Sequence, residues 1–333
     1  MVVAVLALVI GLLLDAPGLH KSAFNEPAGT QRSVALAITK PLESMSHALF
    51  LDRPRSWLKD ALGRSGDDTI DTRVVVLPPP PTKTSRPALE TGAAVPGEPG
   101  KGKAFSPANP LRLWVAGDSL VIDPGYALQR AALASKAIKS VGTVDGRIAT
   151  GLDRPDVFNW FLEIRKELKV LHPNAVMLSF GGNDDKGYMT GLPAGVTVSD
   201  FDDPAWVHEY ARRVGGLIDL INRSGAFVVW MGLPITADRD QTIRFDRINA
   251  VVDRVIRARP GGAAFVDTYT LLAGPNGYAE YLTNLAGQVQ LVRQPDGVHL
   301  APAGAAIVAR EVLKDLNAAY DLTSWRKSAT TSP

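Results

Sequence analysis

The chain of 333 residues contains no cysteine. That absence excludes disulfides, zinc–thiolate sites and thiol catalysis, and leaves the redox compartment open. A surplus of one charge is also missing: 36 Lys and Arg against 34 Asp and Glu give a net +2. There is no long basic run, and the six Trp and seven Tyr are not interleaved with basic residues, so nothing marks a nucleic-acid partner. Phosphate-cradling strings of the Gly-x-Gly-x-x-Gly or Gly-Lys-Ser/Thr type are absent. Carboxylates do pair up at Asp184-Asp185, Asp202-Asp203 and Asp238-Arg239-Asp240. None has calcium-loop spacing, and no two histidines stand at helical spacing for zinc. They read as loop carboxylates facing water, so neither metal nor cofactor is expected.

What is present is unevenly distributed. Val2 to Leu14 is uninterrupted apolar sequence, and only Asp15 breaks that character before Leu19. A spanning helix wants roughly 18 or more apolar residues, a length the run reaches when counted through to Leu19. No basic residue precedes it and no small-x-small cleavage site follows. Residues 1–19 are therefore expected to be a membrane anchor or signal-like helix, an uncleaved anchor in preference to a removed signal, which would place the remainder outside the cytoplasm, on the periplasmic or wall side. Residues 20–76 read as a juxtamembrane helical region, with amphipathic stretches at Ser33–Phe50 and Ser56–Leu62 interrupted by Pro41 and Pro54. Residues 77–110 open on Leu77 and four prolines and stay rich in Pro, Gly, Thr and Lys. Such composition cannot bury enough apolar surface to fold and predicts a semi-extended spacer.

From Leu111 the pattern alternates. Short strands, apolar on both faces, are expected at Leu111–Ala116, Ala137–Val141, Ala175–Phe180, Ala226–Gly232 and Ala264–Asp267. Helices are expected at Tyr126–Ala134, Asp156–Leu171, Pro204–Ser224, Thr242–Ala258 and Pro302–Tyr320. This is the pattern of an α/β chain, a three-layer α/β/α sandwich around a parallel sheet of about five strands. The domain spans residues 111–320 and leaves 321–333 as a flexible tail.

In such a sheet, functional groups gather at the carboxyl ends of strands. Ser119 follows the first strand in Gly117-Asp118-Ser119-Leu120, Gly151 follows the second, and Gly182-Asn183-Asp184 follows the third. Asp296-Gly297-Val298-His299 precedes the last helix. One specified tetrapeptide is expected by chance on the order of once in a hundred chains of this length. The four loops together are far rarer. A serine hydroxyl is a poor nucleophile alone and needs a base. Only five histidines exist. His20 and His47 precede the spacer, His172 sits at a helix exit, and His208 shares a helix with Glu209, Arg212 and Arg213, read as a solvated face. His299 alone has a carboxylate, Asp296, three residues earlier on a loop, where it can hold the second ring nitrogen.

Those blocks, in that order, resemble the SGNH hydrolases, the GDSL esterase/lipase superfamily, over about Leu111 to Leu316. The resemblance implies a flavodoxin-like fold and a carboxylic ester hydrolase. Its catalytic residues would be Ser119, Asp296 and His299. The oxyanion donors would be the backbone N–H groups of Ser119 and Gly151 and the Asn183 amide, with Asp118, Gly182 and Asp184 supporting. The expected function is extracytoplasmic removal of O-acyl, acetyl-like groups, from acylated small molecules or cell-envelope glycans. An O-acyltransferase using the same site is the alternative, and a non-catalytic envelope-binding module a third. Insertions Lys186–Pro204 and Leu271–Arg293 would rim the acyl pocket, where Tyr188, Met189, Tyr278 and Tyr281 either line it or pack the loops.

Overall fold

A computed structural model describes residues 9–25, 30–61, 102–185, 189–193 and 195–326. The chain divides into two compact units, Met1–Val74 and Val75–Pro333.

In the first unit, residues 9–14 are helical, followed after a turn by α1 (Ala16–Asn25), α2 (Thr30–Ala48) and α3 (Arg53–Ala61). The sequence led us to expect a break at Pro41, but α2 runs through it. One proline inside a helix removes a single N–H donor and crowds the preceding turn, and the residues around it keep helical pairing. Pro54 falls in the first turn of α3, where its missing N–H costs nothing. The first eight residues of the expected anchor, and residues 62–101 with most of the expected spacer, lie outside the described residues. Among the described residues no helix is long and apolar enough to cross a membrane.

The second unit is built on β1 (Leu111–Gly117), β2 (Ile138–Gly146), β3 (Ala175–Ser179), β4 (Phe227–Met231) and β5 (Ala263–Val266). Their order is β2-β1-β3-β4-β5 and every pairing is parallel. The expected fold is the one observed. β1, β3 and β4 are buried almost throughout, as befits strands covered on both faces. Each fully buried Val or Leu there contributes roughly 1.5–3 kcal/mol. Between the strands run α4 (Ile122–Ser135), α5 (Trp160–Leu171), α6 (Pro204–Arg223) and α7 (Arg239–Arg257), and α9 (Pro302–Ala319) follows the last loops. α4 packs on α9, while α5, α6 and α7 pack in series. After β5 come the short α8 (Thr268–Leu271) and two small ribbons, β6–β7 (Ala273–Gly274 with Gly277–Tyr278) and β8–β9 (Tyr281–Thr283 with Val289–Leu291).

Several boundaries differ from expectation for physical reasons. β2 continues past Val141 because Gly142, at φ 69°, absorbs an irregularity where the pairing with β1 shifts register. A 3-10 turn over Ser119–Val121 leads directly into α4, so the helical stretch begins at the serine and not at Tyr126; Pro124 sits in the first turn, where a proline is tolerated. Packing begins before residue 111 and extends beyond 320. Phe105 donates its N–H to Asp321 at 2.9 Å and is buried edge-on against Tyr320, and Leu322 is buried as well. Apolar side chains in the supposed spacer end and tail thus complete the core, and residues 321–326 are not a loose tail; residues 327–333 lie outside the described residues.

Candidate active site

Strand order reverses between β1 and β3, and both end at the same edge: Gly117 pairs with Ser179. The crevice outside such a switch point is where open α/β sheets bind ligands. Ser119 leaves β1 there and Asn183 leaves β3.

Asp118 shapes the turn. Fully buried, it caps the 3-10 turn by accepting the Leu120 N–H at 2.9 Å through one oxygen. Its other oxygen accepts the Gly182 N–H at 2.8 Å. One carboxylate therefore ties the serine turn to the loop that carries Asn183. Burial pushes its pKa up, backbone hydrogen bonds oppose that, and the nearby Asp184 charge adds to it, giving about 7 in place of 3.8. Ser119 itself is the first residue of the turn, so its N–H has no acceptor within the turn.

His299 reaches this serine from the far end of the chain. Its Nε2 lies 2.9 Å from Ser119 Oγ, and its Nδ1 lies 2.6 Å from Asp296 Oδ2. A carboxylate can only accept, so Nδ1 donates; the neutral ring then presents Nε2 as an acceptor for the serine proton. Asp296 also accepts the N–H groups of Val298 (2.9 Å) and His299 (3.0 Å) through Oδ1. Burial alone would raise its pKa, but these three hydrogen bonds outweigh it and hold the carboxyl below its ordinary range. It stays charged opposite the imidazole.

Two of the expected oxyanion residues, Asn183 and Gly151, meet through Thr150. Asn183 Nδ2 donates to the Thr150 carbonyl at 3.0 Å, which orients the amide and leaves its second hydrogen for another acceptor. Thr150 is held in turn by the Arg147 carbonyl (2.8 Å) and by Trp160 Nε1 (3.0 Å). Gly151 is sterically required: a Cβ there would collide with the Asp184 carboxylate.

Asp184 organises this loop from beneath. It accepts the N–H groups of Leu152 (3.0 Å) and Asp153 (3.1 Å) and the Tyr210 hydroxyl (2.7 Å). Arg213, also buried, donates to the Leu152 and Asp153 carbonyls at 2.7 and 3.0 Å and to Thr190 at 2.6 Å, and pairs with buried Glu209 at 2.8 Å. Two expectations are corrected here. Asp184 and Asp185 are buried, not water-facing, and Glu209 and Arg213 belong to no solvated face. Arg213 falls in the buried stripe Trp206, Tyr210, Leu217 of α6. A charged residue within an apolar stripe was the signal for a buried structural role. Asp203 and Asp238 are the N-caps of α6 and α7. His172 forms the C-cap of α5. Of the residues expected at the rim, Met189 is buried, Tyr278 half-buried and Tyr281 exposed, while Tyr188 lies outside the described residues.

A family model described as "Protein of unknown function (DUF459)" matches residues 112–315. No curated protein matches the chain. Among solved structures, a lipase/acylhydrolase from Enterococcus faecalis is 16% identical, with 62% of this chain and 96% of that one covered at a TM-score of 0.43. A catalytic mutant of an acetylxylan esterase from Geobacillus stearothermophilus is 16% identical, covering 66% and 97% at 0.41. A family 3 carbohydrate esterase from Clostridium thermocellum is 16% identical, covering 62% and 98% at 0.41.

Proposed function

This chain belongs to the DUF459 family, and we propose that it is an extracytoplasmic serine esterase. In this reading it removes short O-acyl groups, acetyl-like, from cell-envelope glycans through an acyl-enzyme intermediate. The observation that carries the chemistry is the continuous hydrogen-bonded line from Ser119 through His299 to Asp296.

As Ser119 Oγ attacks the ester carbon, its proton passes to His299 Nε2, and Asp296 stabilises the imidazolium that results. The substrate oxygen takes up negative charge toward the Ser119 and Gly151 N–H groups and the free Asn183 hydrogen. Donors already in position cost no reorganisation at that moment. Collapse of the tetrahedral species returns the carbonyl and expels the alcohol, which takes the proton from His299. Water then repeats the sequence on the acyl-serine: His299 removes its proton, the carboxylic acid leaves, and Ser119 regains its hydrogen.

A short acyl group is favoured because Ser119 sits only half-buried while its neighbours Leu120 and Val121 turn inward into the core. The location rests on the apolar Val2–Leu14 run, whose described part exposes Val9, Ile10, Leu12 and Leu14. The test is p-nitrophenyl acetate turnover by the full chain and by Ser119→Ala. Hydrolysis abolished by that substitution is expected, and full turnover by the variant would refute the assignment.

A further inference from the structure

The loop bearing His299 closes on itself. Arg293 and Leu300 pair antiparallel, the Gln294 N–H donates to the His299 carbonyl at 2.9 Å, and the Gly297 N–H donates to the Gln294 carbonyl at 3.0 Å. Such a loop keeps its own shape, but that does not set its distance from another element. Its backbone tie to the β4–α7 connection, from the Ala237 N–H to the Gly297 carbonyl at 3.0 Å, is made away from α4.

The link toward the serine is made by Gln294. Its Nε2 donates to the Leu300 carbonyl at 3.1 Å within the loop, and to Asp123 Oδ2 at 2.8 Å on α4. Both amide hydrogens are thereby used. Asp123 lies about one helical turn beyond Ser119. Among the described residues, the side-chain hydrogen bonds joining the 119–135 helical stretch to the 293–300 loop are two: Gln294 with Asp123, and His299 with Ser119. Both join the same two segments, so the first helps to set the span that the second must bridge, alongside the packing of α4 on α9.

We infer that Gln294 is a positioning residue whose bridge to Asp123 fixes the separation of His299 Nε2 from Ser119 Oγ. It touches no reacting atom and acts through loop placement. The inference rests on the esterase reading. An amide is the group the position requires. A carboxylate would face Asp123 charge to charge, and a thioether of the same length would leave both Asp123 and the Leu300 carbonyl without a donor. A misplacement of about 1 Å at reacting groups costs up to about 100-fold in rate.

The experiment measures kcat and KM on p-nitrophenyl acetate, the rate of Ser119 labelling by a fluorophosphonate, and Tm. The variants are Gln294→Glu, Gln294→Met, Asp123→Asn and the double Asp123→Asn/Gln294→Glu. Gln294→Glu should lower kcat and labelling together by about 10- to 100-fold with KM changed less than about twofold. The double variant, in which the new amide donates to the new carboxylate while the Leu300 carbonyl stays without its donor, should regain part of the loss. Asp123→Asn, which keeps an acceptor, should stay close to the parent. A lowered Tm with unchanged kcat and labelling would overturn the proposal, as would failure of the double variant to recover. A parent protein that neither labels nor turns over sinks the esterase reading. The bridge is then judged from a crystal structure of Gln294→Met: a Ser119–His299 separation beyond about 3.5 Å, outside hydrogen-bond reach, supports it, and an unchanged separation refutes it.

Discussion

The two sides of this site are built from opposite materials. On the proposed oxyanion side, Asp118, Asp153, Asp184, Glu209 and Arg213 are all nearly or fully buried beneath the loops of Gly151 and Asn183. On the base side, the Asp296 and His299 side chains are 47% and 31% exposed, on a loop held by its own backbone. The difference follows from what each side must do. In the proposed mechanism, donors awaiting a developing charge must already be in place, and buried polar groups with fixed partners supply that rigidity. A proton carrier must exchange with water and product, and a surface loop allows it. Damage should therefore appear as lost activity on one side and as lost folding on the other.

The largest effect is expected from Asp296→Ala. Removing the partner of the imidazole should cost about 10⁴-fold in kcat. Because this carboxylate is half exposed, Tm should move little; a large fall in Tm with retained activity would erase the contrast. The mirror case is Arg213→Met, which leaves Glu209 paired with Arg212 alone and strands three carbonyl groups. Breaking a buried pair typically costs about 3–5 kcal/mol, read as a lower urea midpoint, and a variant as stable as the parent would contradict the buried-network account. Asp118 sharpens the comparison through pH. Its folded pKa of about 7 lies above the ordinary 3.8, so between those values the folded state holds a proton that the unfolded chain has released. Stability attributable to Asp118 is thus lost as pH rises from about 4 to about 7, by on the order of 4 kcal/mol at most. The advantage of the parent over Asp118→Asn in urea denaturation should shrink across that window. A constant difference would contradict a buried, proton-holding Asp118. No comparable slope is expected from Asp296, whose pKa is depressed.

Much of this was legible in the sequence. Short apolar strands alternating with helices gave the sheet, and the loops at its carboxyl edge singled out Ser119 and His299, whose side chains the fold brings together, because period and turn chemistry are local properties. What local pattern could not give was long-range satisfaction of polar groups. Glu209 and Arg213 looked like a charged outer face because the carbonyls that hold Arg213 lie on a loop some sixty residues away, while Glu209 pairs only within its own helix. Gln294 carried no sign at all, since its meaning depends on Asp123 across the fold. The start of α4 was placed late, at Tyr126, although its first helical turn accepts Pro124.

The claim on which the account stands is that His299 activates the Ser119 hydroxyl. Incubating the full chain, Ser119→Ala and His299→Ala with a fluorophosphonate, followed by intact mass and peptide mapping, tests it directly. The account predicts one adduct, on Ser119, forming rapidly in the parent, not at all in Ser119→Ala and at least about 10³-fold more slowly in His299→Ala. An unlabelled parent, an adduct on another residue, or equal labelling without His299 would contradict it.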